Sequence, residues 1–80
     1  MRLDKFLKVA RIIKRRTVAR EFADSDRVTV NGRIAKPSTA VKVGDIITIY
    51  SGGRETVVEV LAVKDNVKAD EASGLYRLIK

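Results

Sequence analysis

Seven basic side chains fall within the first sixteen residues, Arg2, Lys5, Lys8, Arg11, Lys14, Arg15 and Arg16, and Asp4 is the only acid before Glu21. Lys5, Lys8, Arg11 and Arg15 follow one another at three- and four-residue steps, the spacing that a helix collects on one face. A row of ammonium and guanidinium groups at that pitch is chemistry for phosphates, and Arg adds a bidentate fork that Lys lacks. A merely solvated helix face mixes signs. This one does not, so it reads as a nucleic-acid-binding face. A second basic group, Arg27, Arg33 and Lys36 with Lys42 beyond, borders a predicted hairpin. Taken alone, such charges serve to block edge pairing between sheets. They become ligands only if the fold carries them to the helical face.

Other chemistries find little to work with. Histidine and cysteine are absent, which removes the commonest general base, the commonest metal ligand and any thiolate site. Asp24 and Asp26 flank a turn, Asp45 follows Gly44 in another, and Glu55 and Glu59 lie on a strand edge without a partner base. Gly52-Gly53 lacks the Lys and the helix that a phosphate loop requires. An enzyme, a metal and a cofactor are therefore not expected. Phe6 and Phe22 sit on apolar helical faces, while Tyr50 and Tyr76 end strands. That supply is too poor for base-by-base readout of single strands and favours recognition of folded RNA by shape and phosphate.

The elements that must carry these residues are short. The 80 residues suffice for one domain with a thin core. The chain holds 17 Lys and Arg against 10 Asp and Glu, net +7, with a pI near 10.2. Met1 to Lys36 carries eleven of those bases and four of the acids, whereas Pro37 to Lys80 carries six of each, so the whole excess belongs to the N-terminal part. Leu3, Phe6, Leu7, Ala10 and Ile13, widened by Val9 and Ile12, predict an amphipathic helix from Leu3 to Lys14, closed by Lys14-Arg15-Arg16. Thr17 reads as the N-cap of a second helix from Val18 to about Ala23, stopped by Asp24-Ser25-Asp26. Val28-Thr29-Val30, Asn31-Gly32 and Arg33 to Lys36 form a hairpin. A strand follows at Ile46 to Tyr50, then a β-rich run at Thr56 to Val63, a helical turn at Lys68 to Ala72 and a last strand at Tyr76 to Ile79. The expected fold is α+β, two short helices on a small, mainly antiparallel sheet. Residues 1–50 form its core and 51–80 a β-rich extension of the same domain. The charged start lacks a signal-peptide core and no run approaches roughly 18 apolar residues, so a cytoplasmic protein is expected.

Several of these segments resemble a known family. Arg2-Leu3-Asp4-Lys5-Phe6-Leu7, Lys14-Arg15-Arg16-Thr17 with Ala19 and Ala23, Val28-Thr29-Val30-Asn31-Gly32 and Val43-Gly44-Asp45-Ile46-Ile47 resemble the S4-type RNA-binding domain. The remaining thirty residues are similar to its small RqcP-type branch, a relative of the heat-shock S4 protein of free large subunits. The resemblance implies a basic helical face turned toward structured RNA, with large-subunit rRNA and peptidyl-tRNA as targets and an RqcH-type protein as partner in alanine tailing. It maps RNA contacts onto Arg2, Lys5, Arg11, Arg15 and Arg16, above all Arg2 and Arg16. One departure is Asp26, where the family usually has glycine. Glycine there implies a left-handed backbone, which Asp tolerates at moderate cost.

Two readings stand beside this one. The same basic helix could dock on an acidic protein surface, or the domain could act as a general rescue factor of free large subunits. A membrane-surface helix is disfavoured because Leu3, Phe6 and Leu7 are needed for the core of so small a domain. A monomer is expected.

Overall fold

The computed structural model describes residues 1–80. Two helices, α1 (Leu3–Val9) and α2 (Arg16–Asp24), precede five strands: β1 (Val28–Val30), β2 (Arg33–Ile34), β3 (Ile46–Ser51), β4 (Arg54–Val60) and β5 (Tyr76–Leu78). A 3-10 helix, Ala69–Leu75, leads into β5. The strands form one sheet in the order β2-β1-β3-β4-β5, antiparallel at every pairing. No helix is long and apolar enough to cross a membrane.

The apolar spacing of the N-terminal segment drives the packing. Leu3, Phe6, Leu7 and Ala10 turn one face of α1 into the interior, Ala19 and Ala23 do so for α2, and Val28, Ile47, Ile49, Val58 and Val60 meet them from the sheet. Alternation along the strands leaves the other sheet face to solvent, with Ile34, Thr29, Thr48, Val57 and Ile79 in one row across it. The final residues are structural: β4 pairs with β3 along its length, and Leu75 closes the core.

The hairpin forms as its turn residues demand. Asn31 and Gly32 both take positive φ, 54° and 81°, as a two-residue turn between right-twisted strands requires. Asn31 then does more. Its amide Nδ2 donates to Asp45 at 3.0 Å, its Oδ1 accepts from Ile46 N–H at 2.9 Å, and Asp45 accepts in addition from Lys42 N–H at 2.9 Å. Asp45 is buried, and this bonding ties the turn to the entry of β3.

Several boundaries differ from the sequence expectation. The first helix stops at Val9, five residues before Lys14. Arg11 adopts φ 58°, its N–H bonds Lys8 O at 3.0 Å, and Ile12 N–H bonds Leu7 O at 3.1 Å. That pair of bonds is a Schellman termination, with Arg in the place usually held by glycine. The second helix begins at Arg16, so Thr17 lies inside it, and its N-cap is Arg15, with no side-chain capping bond. It ends by the same device: Asp26 takes φ 61°, Asp26 N–H bonds Ala23 O and Arg27 N–H bonds Phe22 O. The left-handed backbone expected at Asp26 is present, and the Arg27 guanidinium lies 5.5 Å from the Phe22 ring centre. The run from Thr56 leaves the sheet after Val60, because Leu61 and Ala62 bond Leu75 O instead. The helical turn placed at Lys68 to Ala72 is the 3-10 helix Ala69–Leu75.

Arg11 is exposed, so its substitution isolates the backbone term. Arg11→Val should lower unfolding free energy by roughly 1–2 kcal/mol, since a β-branched residue resists the left-handed region. Arg11→Gly should leave stability level or raise it by up to about 1 kcal/mol, the relief of strain being partly offset by a freer unfolded chain. Urea melts of the two variants against wild type test this; equal loss in both would mean that the Arg11 side chain, not its backbone, supports the turn.

Candidate nucleic-acid interface

The first residues are pinned before α1 begins. Arg2 bridges Ala40, Leu3 N–H donates to Thr39 O at 2.8 Å, Asp4 N–H to Pro37 O at 3.2 Å, and Val41 N–H to Met1 O at 2.8 Å. These bonds hold Arg2 on a fixed backbone at the mouth of the helix. Arg16 reaches the same place from the start of α2. Between them lies Asp4, with no solvent exposure.

The Asp4 carboxylate organises the cluster. Arg2 donates from Nε to Oδ1 at 3.1 Å and from Nη2 to Oδ2 at 3.3 Å, Lys5 N–H donates to Oδ1 at 2.7 Å, and the Arg16 Nε lies 3.4 Å from Oδ2. Both arginine side chains remain about half exposed, 49% and 46%. Each therefore keeps guanidinium donors that meet no protein acceptor. Arg20 and Thr17 complete a shallow concavity with these three residues. Three guanidiniums against one carboxylate leave an excess of two positive charges in it. The start of α2 also needs Asp4. Arg15-Arg16 brings positive charge to a helix N-terminus that has no acid in its first turn, an arrangement that the helix dipole disfavours. The buried carboxylate of α1 supplies the missing negative charge.

The remaining candidates divide into separate places. With α1 ending at Val9, only Lys5 and Lys8 stay on that helix; Arg11 and Lys14 lie in the connection and Arg15 caps α2. The expected single helical row is thus broken. Lys8, Arg11 and Lys14 line a second concavity, facing the 65–67 segment. Lys5 bonds Asp65 at 3.1 Å. Arg33 is exposed on the edge strand β2, and Lys42 is exposed, with its backbone N–H on Asp45. Lys36 bonds Asp26 at 2.7 Å, and that carboxylate raises its pKa above the ordinary lysine value. Neither Arg33, Lys36 nor Lys42 shares a bond with the Asp4 cluster.

Two residues of the site escaped the sequence reading. Arg20 stands four positions after Arg16, which puts it on the same face of α2 and was a usable signal. Asp4, the lone acid in a cationic stretch, was visible as an exception; its burial under two arginines was not.

Burial pushes the Asp4 carboxyl up, but the Arg2 hydrogen bond, the Lys5 N–H and the Arg16 guanidinium together outweigh it and hold the group below its ordinary value of 3.8. A depressed carboxylate contributes stability that is fully present above the unfolded pKa and is lost as pH falls through the folded one. Wild type should therefore lose stability on acidification below about pH 4 more steeply than Asp4→Asn, which has no proton to bind there. At neutral pH Asp4→Asn should be less stable by roughly 1–3 kcal/mol, the scale of charge-assisted hydrogen bonds. Thermal unfolding from pH 3 to 7 checks both, and parallel acid limbs would remove Asp4 from its place as keystone.

Comparison with known proteins fits this geometry. A profile of the S4 domain matches residues 1–47. The RQC P-site tRNA stabilizing factor of Streptococcus pneumoniae is 54% identical over 79 residues, which span 99% of this chain and 90% of that protein. Its counterpart from Bacillus subtilis is 50% identical over 80 residues, 100% and 93% of the two chains. Heat shock protein 15 of Escherichia coli is 39% identical over 77 residues, 95% of this chain and 58% of that protein. Among solved structures, the trimeric heat shock protein 15 of Vibrio cholerae superposes with a TM-score of 0.90 at 39% identity, over 99% of this chain and 81% of that one. The chain belongs to the S4-domain family of RNA-binding proteins, and its likeness to the small RqcP-type members runs from end to end.

Proposed function

We propose that this protein is a ribosome-associated quality-control factor that binds large-subunit rRNA and peptidyl-tRNA on obstructed large subunits. It works in the cytoplasm without catalysing a reaction, and it supports C-terminal alanine tailing by an RqcH-type partner on the same subunit. The observation that carries this reading is the Arg2–Asp4–Arg16 arrangement: two guanidiniums are held at fixed positions by a buried carboxylate while their remaining donors stay open. Fixed forks of that kind suit backbone phosphates of a folded RNA. Holding a tRNA in place requires position and charge, which such a surface supplies without an acid–base pair. The names of the relatives at about half identity support the choice of tRNA as target.

Contacts are proposed at Arg2, Lys5, Lys8, Arg11, Lys14, Arg15 and Arg16, with Arg20 added. Arg33, Lys36 and Lys42 are given a secondary part at the rim of the footprint, Lys36 after exchange of its Asp26 partner. A second reading, general rescue of free large subunits, is favoured by the match to heat shock protein 15 in sequence and in one solved structure. The two differ in whether binding tightens when the subunit carries peptidyl-tRNA. One copy of the chain per subunit is proposed.

The test is sedimentation of tagged protein with lysate ribosomes, followed by binding to purified large subunits over a range of salt. Wild type should travel with large subunits, and its affinity should fall with a log-log slope of roughly 0.7–0.9 per phosphate engaged. Arg2→Ala and Arg16→Ala should each weaken binding about tenfold or more and shrink that slope by about one. Asp4→Asn should also weaken it although it makes the chain more positive, because the arginines lose their anchor. Salt-independent binding would refute the electrostatic account of the contact, and wild type left at the top of the gradient would remove the ribosomal reading in favour of an acidic protein partner.

A further inference from the structure

The second concavity is a different kind of site. It lies between the left-handed turn that ends α1 and residues 65–67 of the C-terminal extension, and it is an open concavity of about 360 Å³. That is the small end of the range of ligand pockets, room for one nucleotide and none for a duplex. Its lining is sorted by chemistry. Val9 and Val67, half-buried against the core, form the apolar base. Lys8, Arg11 and Lys14 supply cations from one side, and Asp65 and Asn66 supply a carboxylate and an amide from the other.

We propose that this groove holds a single unpaired nucleotide of the bound RNA, preferring guanine, with its phosphate toward Lys8, Arg11 and Lys14 and its base edge toward Asp65 and Asn66. The inference rests on the RNA-binding reading above and deepens it. Asp4 is buried and serves phosphate binding by holding two arginines, whereas Asp65 is exposed, where its carboxylate would only repel a phosphate. The Asp65 carboxylate makes sense against a group that donates. Its Oδ1 accepts from Lys5 Nζ at 3.1 Å, while Oδ2 has no partner. Asn66 makes no side-chain bond within the protein, so its amide is open as well. Guanine offers two adjacent donors, N1–H and N2–H, that match two carboxylate oxygens; uracil has no exocyclic amine. Arg11 gives a further reason. It occupies a backbone position that glycine would hold without strain, and the side chain that strain retains is the one lining the groove.

The experiment uses the whole chain and four hairpin RNAs identical in stem, each with a loop of one repeated base, measured by fluorescence anisotropy at one salt concentration. Wild type should bind the guanine loop about tenfold more tightly than the uracil loop. Asn66→Ala and Asp65→Asn should each bring that ratio within about twofold. The ratio is the readout because Asp65→Asn also removes a negative charge and raises affinity for every RNA. Arg16→Ala should weaken all four RNAs alike and leave the ratio intact. Equal binding of the four loops by wild type, or a preference that survives both groove variants, would overturn the proposal while the RNA-binding reading stands on the Arg16→Ala loss. Failure of wild type to bind any of the four would overturn both.

Discussion

A carboxylate without solvent, placed beneath two half-exposed arginines, governs this small domain. Burying Asp4 would be unfavourable by itself, since a desolvated charge must be paired and hydrogen-bonded to persist. The chain meets that condition with Arg2, Arg16 and the Lys5 amide. In doing so it fixes α1 against α2 and stations two guanidiniums at the surface. It also neutralises the charge that would otherwise oppose the start of α2. The packing of the two helices and the placement of the surface arginines therefore rest on one arrangement.

The cationic surface is divided rather than continuous. A helix running to Lys14 would have laid its basic residues in one row. The Schellman turn at Arg11 instead sends Arg11 and Lys14 toward the C-terminal extension and returns the chain so that Arg16 joins Arg2 on Asp4. Both helices end through a non-glycine residue in the left-handed region, and in each the chain reverses abruptly within a few residues. Such short helices would be marginal alone. Packing of Leu3, Phe6, Leu7, Ala19 and Ala23 on one face of the sheet makes them persist.

That sheet is a platform whose two halves act together. Asn31 and Asp45 lock the first hairpin to β3, and β4 and β5 extend the same surface until the 3-10 helix brings Leu75 under the core. The residues after Ser51 carry no excess charge, yet they form one side of the Lys8–Arg11–Lys14 groove and supply Asp65 to Lys5. Charge counting puts the cationic excess in the first 36 residues; contact brings residues 65–67 against part of it.

What the sequence determined was whatever depends on neighbours along the chain. Apolar spacing set the inner face of α1, Asn31-Gly32 set the hairpin, the absence of histidine and cysteine excluded their chemistries, and the sign asymmetry placed the cationic excess in the N-terminal part. Those features are local, and periodicity or turn chemistry records them. Tertiary structure decided what depends on residues that are distant in sequence. Nothing near Asp4 in the chain shows that Arg16 will come to lie against it, and nothing near Arg11 requires a left-handed turn where helix-forming residues continue. Lys36 looked like a free cation until Asp26 came within 2.7 Å of it. Each of these outcomes depends on how the helices and strands pack together, which is a property of the assembled fold and not of any single stretch of residues.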